Sequence, residues 1–174
     1  MSTSFEPFQG GCACSFIRHK ANAGLIVINI CHCHYCQRET GGPFAINYLT
    51  ETASLEILRS RQPLLVALPS ESGRGYTVAR CPKCFIALYA HYFGPLLASF
   101  RAVALDEVSK ERLWAAVEKG EIQLVHIFSE SKVPWVEIRS NAKRFDRFYV
   151  FDAVLRPEGK EIWTRILSET EKLK

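Results

Sequence analysis

The chain has 174 residues, of which 48% are hydrophobic and 23% charged, and a formal net charge of +4. That is the length and balance of one ordinary globular domain with a core of its own, so its seven cysteines are not required as staples for a mini-protein. Met1 to Phe8 shows neither a basic segment nor an apolar run, so no signal peptide is read, and no window approaches the ~18 apolar residues of a membrane-spanning helix. A cytoplasmic location, with the nucleus as the second option, is expected; thiols stay reduced there, and an odd cysteine count argues against a closed disulfide framework.

In chain order, Leu25–Cys31 is a short apolar, β-branched run. Ala45–Thr50, Leu55–Leu58, Leu64–Leu68 and Tyr76–Arg80 are further strand candidates. Turn signals at Gly41-Gly42-Pro43, Arg61-Gln62-Pro63 and Pro69–Gly75 separate them. Ile86–His91 and Leu97–Leu105 continue the pattern, and many short strands at this spacing suggest antiparallel sheets rather than βαβ units. A helix is predicted over Ser109–Lys119, with Ser109 as N-cap, Leu113, Trp114 and Val117 on the apolar face and Gly120 as the stop. Arg139–Phe151 interleaves basic and aromatic residues; the favoured reading packs the aromatics inward and leaves the charges in water. A C-terminal helix is predicted over Gly159–Leu173. With no internal repeat, residues 1–174 read as a single domain.

The cysteines fall in three clusters: Cys12 and Cys14 after Gly10-Gly11, then Cys31, Cys33 and Cys36, then Cys81 and Cys84. Zinc takes about four soft ligands in a tetrahedron, with sulfur at about 2.3 Å. A Cys-x-x-Cys turn offers two thiolates to one ion while backbone N–H groups donate to the sulfurs, and Pro82 suits its first corner. Cys-x-Cys needs local bending to chelate, for which Gly10 and Gly11 give latitude. Four ligands close a structural site and three leave a position open, the catalytic pattern. Seven cysteines thus suggest Cys12, Cys14, Cys81 and Cys84 for the first and Cys31, Cys33 and Cys36 for the second. Spacing does not force this division; one four-cysteine site with three spare thiols, or a histidine completing the second site, fits equally. Seven thiolates on two zinc ions carry about −3 in all, which brings the net charge near +1 and makes nucleic acid an unlikely partner.

The long central motif, Cys31-His32-Cys33-His34-Tyr35-Cys36-Gln37-Arg38-Glu39-Thr40-Gly41-Gly42-Pro43-Phe44, resembles the glutathione-dependent formaldehyde-activating enzyme family, which includes centromere protein V. Gly10-Gly11-Cys12-Ala13-Cys14, Arg80-Cys81-Pro82-Lys83-Cys84 and His126-Ile127-Phe128-Ser129-Glu130-Ser131-Lys132-Val133-Pro134-Trp135 resemble its other signatures, so the family-like core spans about 10–135 and 136–174 is an extension. The resemblance implies a mainly β, tent-like fold of short antiparallel sheets stapled by zinc, with a few short helices. It implies two zinc ions, a structural one on Cys12, Cys14, Cys81 and Cys84 and a more labile one on Cys31, Cys33 and Cys36. It also implies a carbon–sulfur lyase that joins glutathione to formaldehyde. Three thiolates on zinc make a poor Lewis acid but a good holder of an incoming thiolate, so a small thiol and a small aldehyde are the expected substrates. His126 and Lys132 are candidates for substrate or oxyanion contacts and Arg38 for pairing with a glutathione carboxylate, with Trp135 as core or pocket wall. One departure is Phe85-Ile86 where the family usually has Gly-Thr after the second knuckle. The rival readings are a zinc-stabilised binding module for protein or nucleic acid, with Arg139–Phe151 as its surface, and a thiol redox or metal sensor.

Overall fold

Short apolar runs broken by turns pair into two sheets in the computed structural model, which describes residues 6–22, 27–58, 61–70, 75–92 and 94–172. Strands β1 (Phe8–Gly11), β2 (Arg18–Ala21), β3 (Val27–Cys31), β4 (Ala45–Glu51), β5 (Leu55–Leu58), β6 (Leu64–Leu68), β7 (Tyr76–Arg80), β8 (Ala87–His91), β9 (Leu97–Arg101), β10 (Leu124–Ile127) and β11 (Lys143–Arg144) are joined by helices α1 (His34–Thr40), α2 (Glu107–Glu118) and α3 (Pro157–Lys172). The small sheet runs β1-β2-β5 and the large one β11-β10-β3-β4-β9-β8-β7-β6. All pairings are antiparallel except those of β10, which lies parallel to β3 and to β11.

Successive residues of a strand point to opposite faces, and here each face of the large sheet has its own core. Ile28, Tyr48, Ala98 and Phe100 join one core; Val27, Leu49 and Leu97, their neighbours in sequence, join the other. Cys12 and Cys81 belong to the first core, Cys31 and Cys33 to the second. The sheet therefore separates the two groups of cysteines.

The predicted strands over 45–50, 55–58, 64–68 and 76–80 are present, as are the later ones with small shifts. The Leu97–Leu105 run ends as a strand at Arg101 and turns through a 3-10 segment, Ala102–Ala104, which lets Leu105 bridge to Gly10. Residues 25–26 and 71–74 of the predicted first strand and turn lie outside the described residues, as do 173–174 of the last helix. Helix α2 starts earlier than predicted, after Asp106. Ser109 is buried inside it, with its hydroxyl accepting from the Gln9 N–H at 2.9 Å. Helix α3 starts at Pro157, a residue whose fixed φ and missing N–H suit a first helical position. Phe145, Phe148, Tyr149 and Phe151 pack inward while Arg139, Lys143, Arg144 and Arg147 are exposed, as the favoured reading of 139–151 has it. Trp135 is neither core nor wall: it is 72% exposed, beyond the turn at Pro134.

Candidate metal centres

The first group is a four-thiol cluster. Cys12 Sγ lies 3.5 Å from Cys14 Sγ, Cys14 Sγ lies 3.7 Å from Cys81 Sγ, and all four sulfurs, with Cys84, fall within 4.8 Å of one another. A tetrahedron with arms of about 2.3 Å has edges of about 3.8 Å, so the donor set fits a zinc ion. Backbone N–H groups of Ile17 and Lys83 donate to Cys12 Sγ and Cys81 Sγ at 3.3 and 3.4 Å. Gly10 and Gly11 serve this site through space rather than flexibility. A Cβ on Gly10 would meet the Ala104 carbonyl oxygen at 2.4 Å, and one on Gly11 the Ile17 carbonyl oxygen at 2.4 Å. Phe85, in the position where glycine was expected, has φ of 58° and keeps the left-handed backbone after the knuckle.

The second group is local. Cys31 ends β3, Cys33 caps α1, and Cys36 sits in that helix's first turn with its N–H donating to Cys33 Sγ at 3.4 Å. The motif segment is therefore a strand end followed by a helix. Gly41 closes α1 in the left-handed conformation, φ 66°, donating its N–H to the Gln37 carbonyl. Gln37 ties the helix down, its amide donating to the carbonyls of His32 at 2.6 Å and Ser131 at 2.9 Å. The three sulfurs lie within 4.8 Å of one another, a fit to three corners of a thiolate zinc site. Charge concentrates on Cys33, lowered to about 3 because the Cys31 and Cys36 thiols and the N–H groups of Cys36 and Tyr35 donate to it. The bond to Cys33 pushes Cys31 up.

A cavity of about 70 Å³ opens beside these three thiols. Its walls are mostly apolar and aromatic, among them Tyr35, Leu49, Tyr92, Leu97, Phe128 and Phe148, with Asn29, Asn47, Tyr76 and Arg101 as polar groups. Arg101 Nη1 donates to Asn47 Oδ1 at 2.7 Å, and Nη2 lies 3.8 Å from the buried Glu39 carboxylate. Glu39 also takes Arg80 on both oxygens at 2.6 Å, so two guanidinium groups face one carboxylate. Burial first, then the nearby Glu39 charge, raises Tyr76 to about 12 and keeps its hydroxyl protonated.

The structure brings all seven cysteines into the two predicted groups. His126, Arg38 and Lys132 do not line the cavity. His126 lies between Val125 and Ile127, which face the second core, and turns the other way. There its Nδ1 meets His32 Nε2 at 2.9 Å with the rings stacked 5.2 Å apart. Arg38 is exposed on α1, and Lys132 Nζ donates to the carbonyl of Val133 at 3.2 Å within its own turn. Arg101, Tyr76, Asn29, Asn47, Ser70 and Ser99 are polar lining residues that sequence reasoning missed. The available signal was Asn29 and Asn47, two amides in apolar strands that are register partners, since burying an amide without a partner is costly.

A family model described as glutathione-dependent formaldehyde-activating enzyme matches residues 7–120. A crystal structure of a Rhodobacter sphaeroides protein is similar at 18% identity, with a TM-score of 0.45, covering 67% of this chain and 98% of that one. No curated protein matches. No helix among the described residues is long and apolar enough to cross a membrane.

Proposed function

The chain belongs to the glutathione-dependent formaldehyde-activating enzyme family, and on that premise we propose that it joins a thiol to formaldehyde or another small aldehyde beside Cys31, Cys33 and Cys36. Three clustered thiols bordering an apolar cavity carry this reading. A zinc ion on them would supply an open position where a fourth sulfur is held as thiolate at neutral pH. In the reaction a sulfur–carbon bond forms, the carbonyl π pair moves to oxygen, and the proton given up by the thiol ends on that oxygen. Tyr76 borders the cavity with its hydroxyl protonated and is our candidate for donating that proton, to be replaced by the one from the thiol. Arg101, held by Asn47 and Glu39, offsets the negative charge of a thiolate-rich site. The mostly apolar walls would hold two small reactants together, an effect worth several kcal/mol. Cys12, Cys14, Cys81 and Cys84 take the structural zinc.

Cys33→Ser tests the site. Serine is a good N-cap, so α1 keeps its first-turn bond while the thiolate is lost. Formation of the hydroxymethyl thioether from labelled formaldehyde, followed by NMR, is expected to fall to the uncatalysed rate with the circular dichroism spectrum unchanged. Full activity in this variant overturns the proposal.

A further inference from the structure

Strand β9 carries cavity residues along one face. Leu97, Ser99 and Arg101 alternate on it, and all three line the cavity beside Cys31, Cys33 and Cys36. At Arg101 the strand ends. The segment that follows, with Val103, Ala104 and Leu105, borders a second and far larger space, an open groove of about 740 Å³. Among the described residues, Arg101 is the one that lines both spaces. A molecule reaching from the groove toward the three thiols would pass it.

The guanidinium at this junction has donors to spare. The Arg101 side chain is 12% exposed, and its Nη1 donates to Asn47 Oδ1 at 2.7 Å. Glu39 lies 3.8 Å from its Nη2, beyond hydrogen-bond distance, because Arg80 holds both Glu39 oxygens at 2.6 Å. Two guanidinium groups thus share one carboxylate, which leaves one positive charge in excess. A guanidinium presents five N–H donors in a flat fork that matches a carboxylate, and a mostly buried charge calls for such a partner. Arg38, the carboxylate partner expected from the sequence, is exposed on α1 and lines neither space.

We infer that Arg101 is a specificity-determining residue that pairs with a carboxylate of the thiol substrate, so that the sulfur reaches the three-thiol cavity while the rest of the molecule lies in the outer groove. The inference rests on the thiol-binding reading above and adds the chemistry of the thiol: it carries a carboxylate, as glutathione does. The groove falls within the roughly 300–1,000 Å³ of sites that hold ligands of such size.

Calorimetric titration of the zinc-loaded protein follows binding without turnover. The ligands are glutathione, its diethyl ester and 2-mercaptoethanol, a thiol with no carboxylate. Wild type is expected to bind glutathione at least about tenfold more tightly than the diester, the scale of a hydrogen bond to a charged group. Arg101→Gln brings glutathione down to the level of its diester and weakens it about tenfold more than 2-mercaptoethanol; Arg101→Lys, which keeps the charge, restores part of the preference. A diester bound by wild type as tightly as glutathione overturns the inference without recourse to a variant. So does an equal loss of glutathione and 2-mercaptoethanol in Arg101→Gln, the result of a guanidinium acting on thiolate charge alone. Either outcome leaves the thiol-binding reading standing. If none of the three thiols gives a binding heat with wild type, that reading falls and the inference falls with it.

Discussion

The two cysteine clusters use the same ligand atom and occupy opposite faces of one sheet, but the chain builds them in opposite ways. The four-thiol cluster joins two pairs 67 residues apart, with Cys14 on the surface and Phe85 and Ile86 exposed beside it. The three-thiol cluster comes from one strand end and one short helix, with two of its thiols buried, and its surroundings come from distant strands and the C-terminal segment. Closing a long loop gives a metal most leverage on the unfolded chain, so a metal on the first cluster would act on stability. A local cluster closes no long loop. Its value lies in the cavity next to it.

Substitution of Cys84 by serine is the strongest way to break the contrast. Structural zinc is worth on the order of 10 kcal/mol in apparent terms, so Cys84→Ser is expected to lose zinc and folded protein together, read by metal analysis and thermal melting. Cys33→Ser is expected to keep its melting transition; equal damage from both would erase the division of labour.

Acid pH is expected to weaken the face that holds the four-thiol cluster. His19 is fully buried there, its ring 4.9 Å from Phe100 and neither ring nitrogen with a hydrogen-bond partner. Burial lowers it to about 4 from the ordinary value of 6.5. The unfolded chain therefore binds a proton that the folded one refuses. The stability is fully present above about pH 6.5 and is lost as pH falls toward 4, on the order of 3 kcal/mol in all. Urea midpoints for wild type and His19→Phe across this range check it: the variant is expected to show a flatter profile.

The smallest effect sharpens the comparison. Phe85 holds a left-handed backbone with its side chain 61% exposed, so Phe85→Gly is expected to relieve strain and stabilise the protein by about 1 kcal/mol in chemical unfolding. Thiol binding at the other cluster is expected to stay unchanged.

Much of this was legible in the residues. Ligand counting suggested two groups of cysteines without forcing them, and the sulfurs cluster in those two groups; short β-branched runs between turn residues marked most of the strands of the large sheet. Helix α1 was hidden because its whole length lies in the cysteine motif, where Cys33 is at once a candidate ligand and the cap. The parallel strand β10 was hidden because its partner β3 lies about a hundred residues earlier, and pairing over such a distance leaves no local mark. The glycines before Cys12 looked like flexible residues, and only the 2.4 Å approach of two carbonyls shows them to be a matter of space.

The side chains around the open cluster divide in the same way. His126, Arg38 and Lys132 stood out in the sequence by type and by motif, whereas Arg101, Asn47, Tyr76 and Phe148 are the ones at the cavity. By itself the sequence determined which atoms can hold metal, because ligand identity is a property of single residues and their near neighbours. Only the tertiary structure decided what meets that metal site, because a cavity wall is assembled from residues that share a face of a sheet and not a stretch of chain.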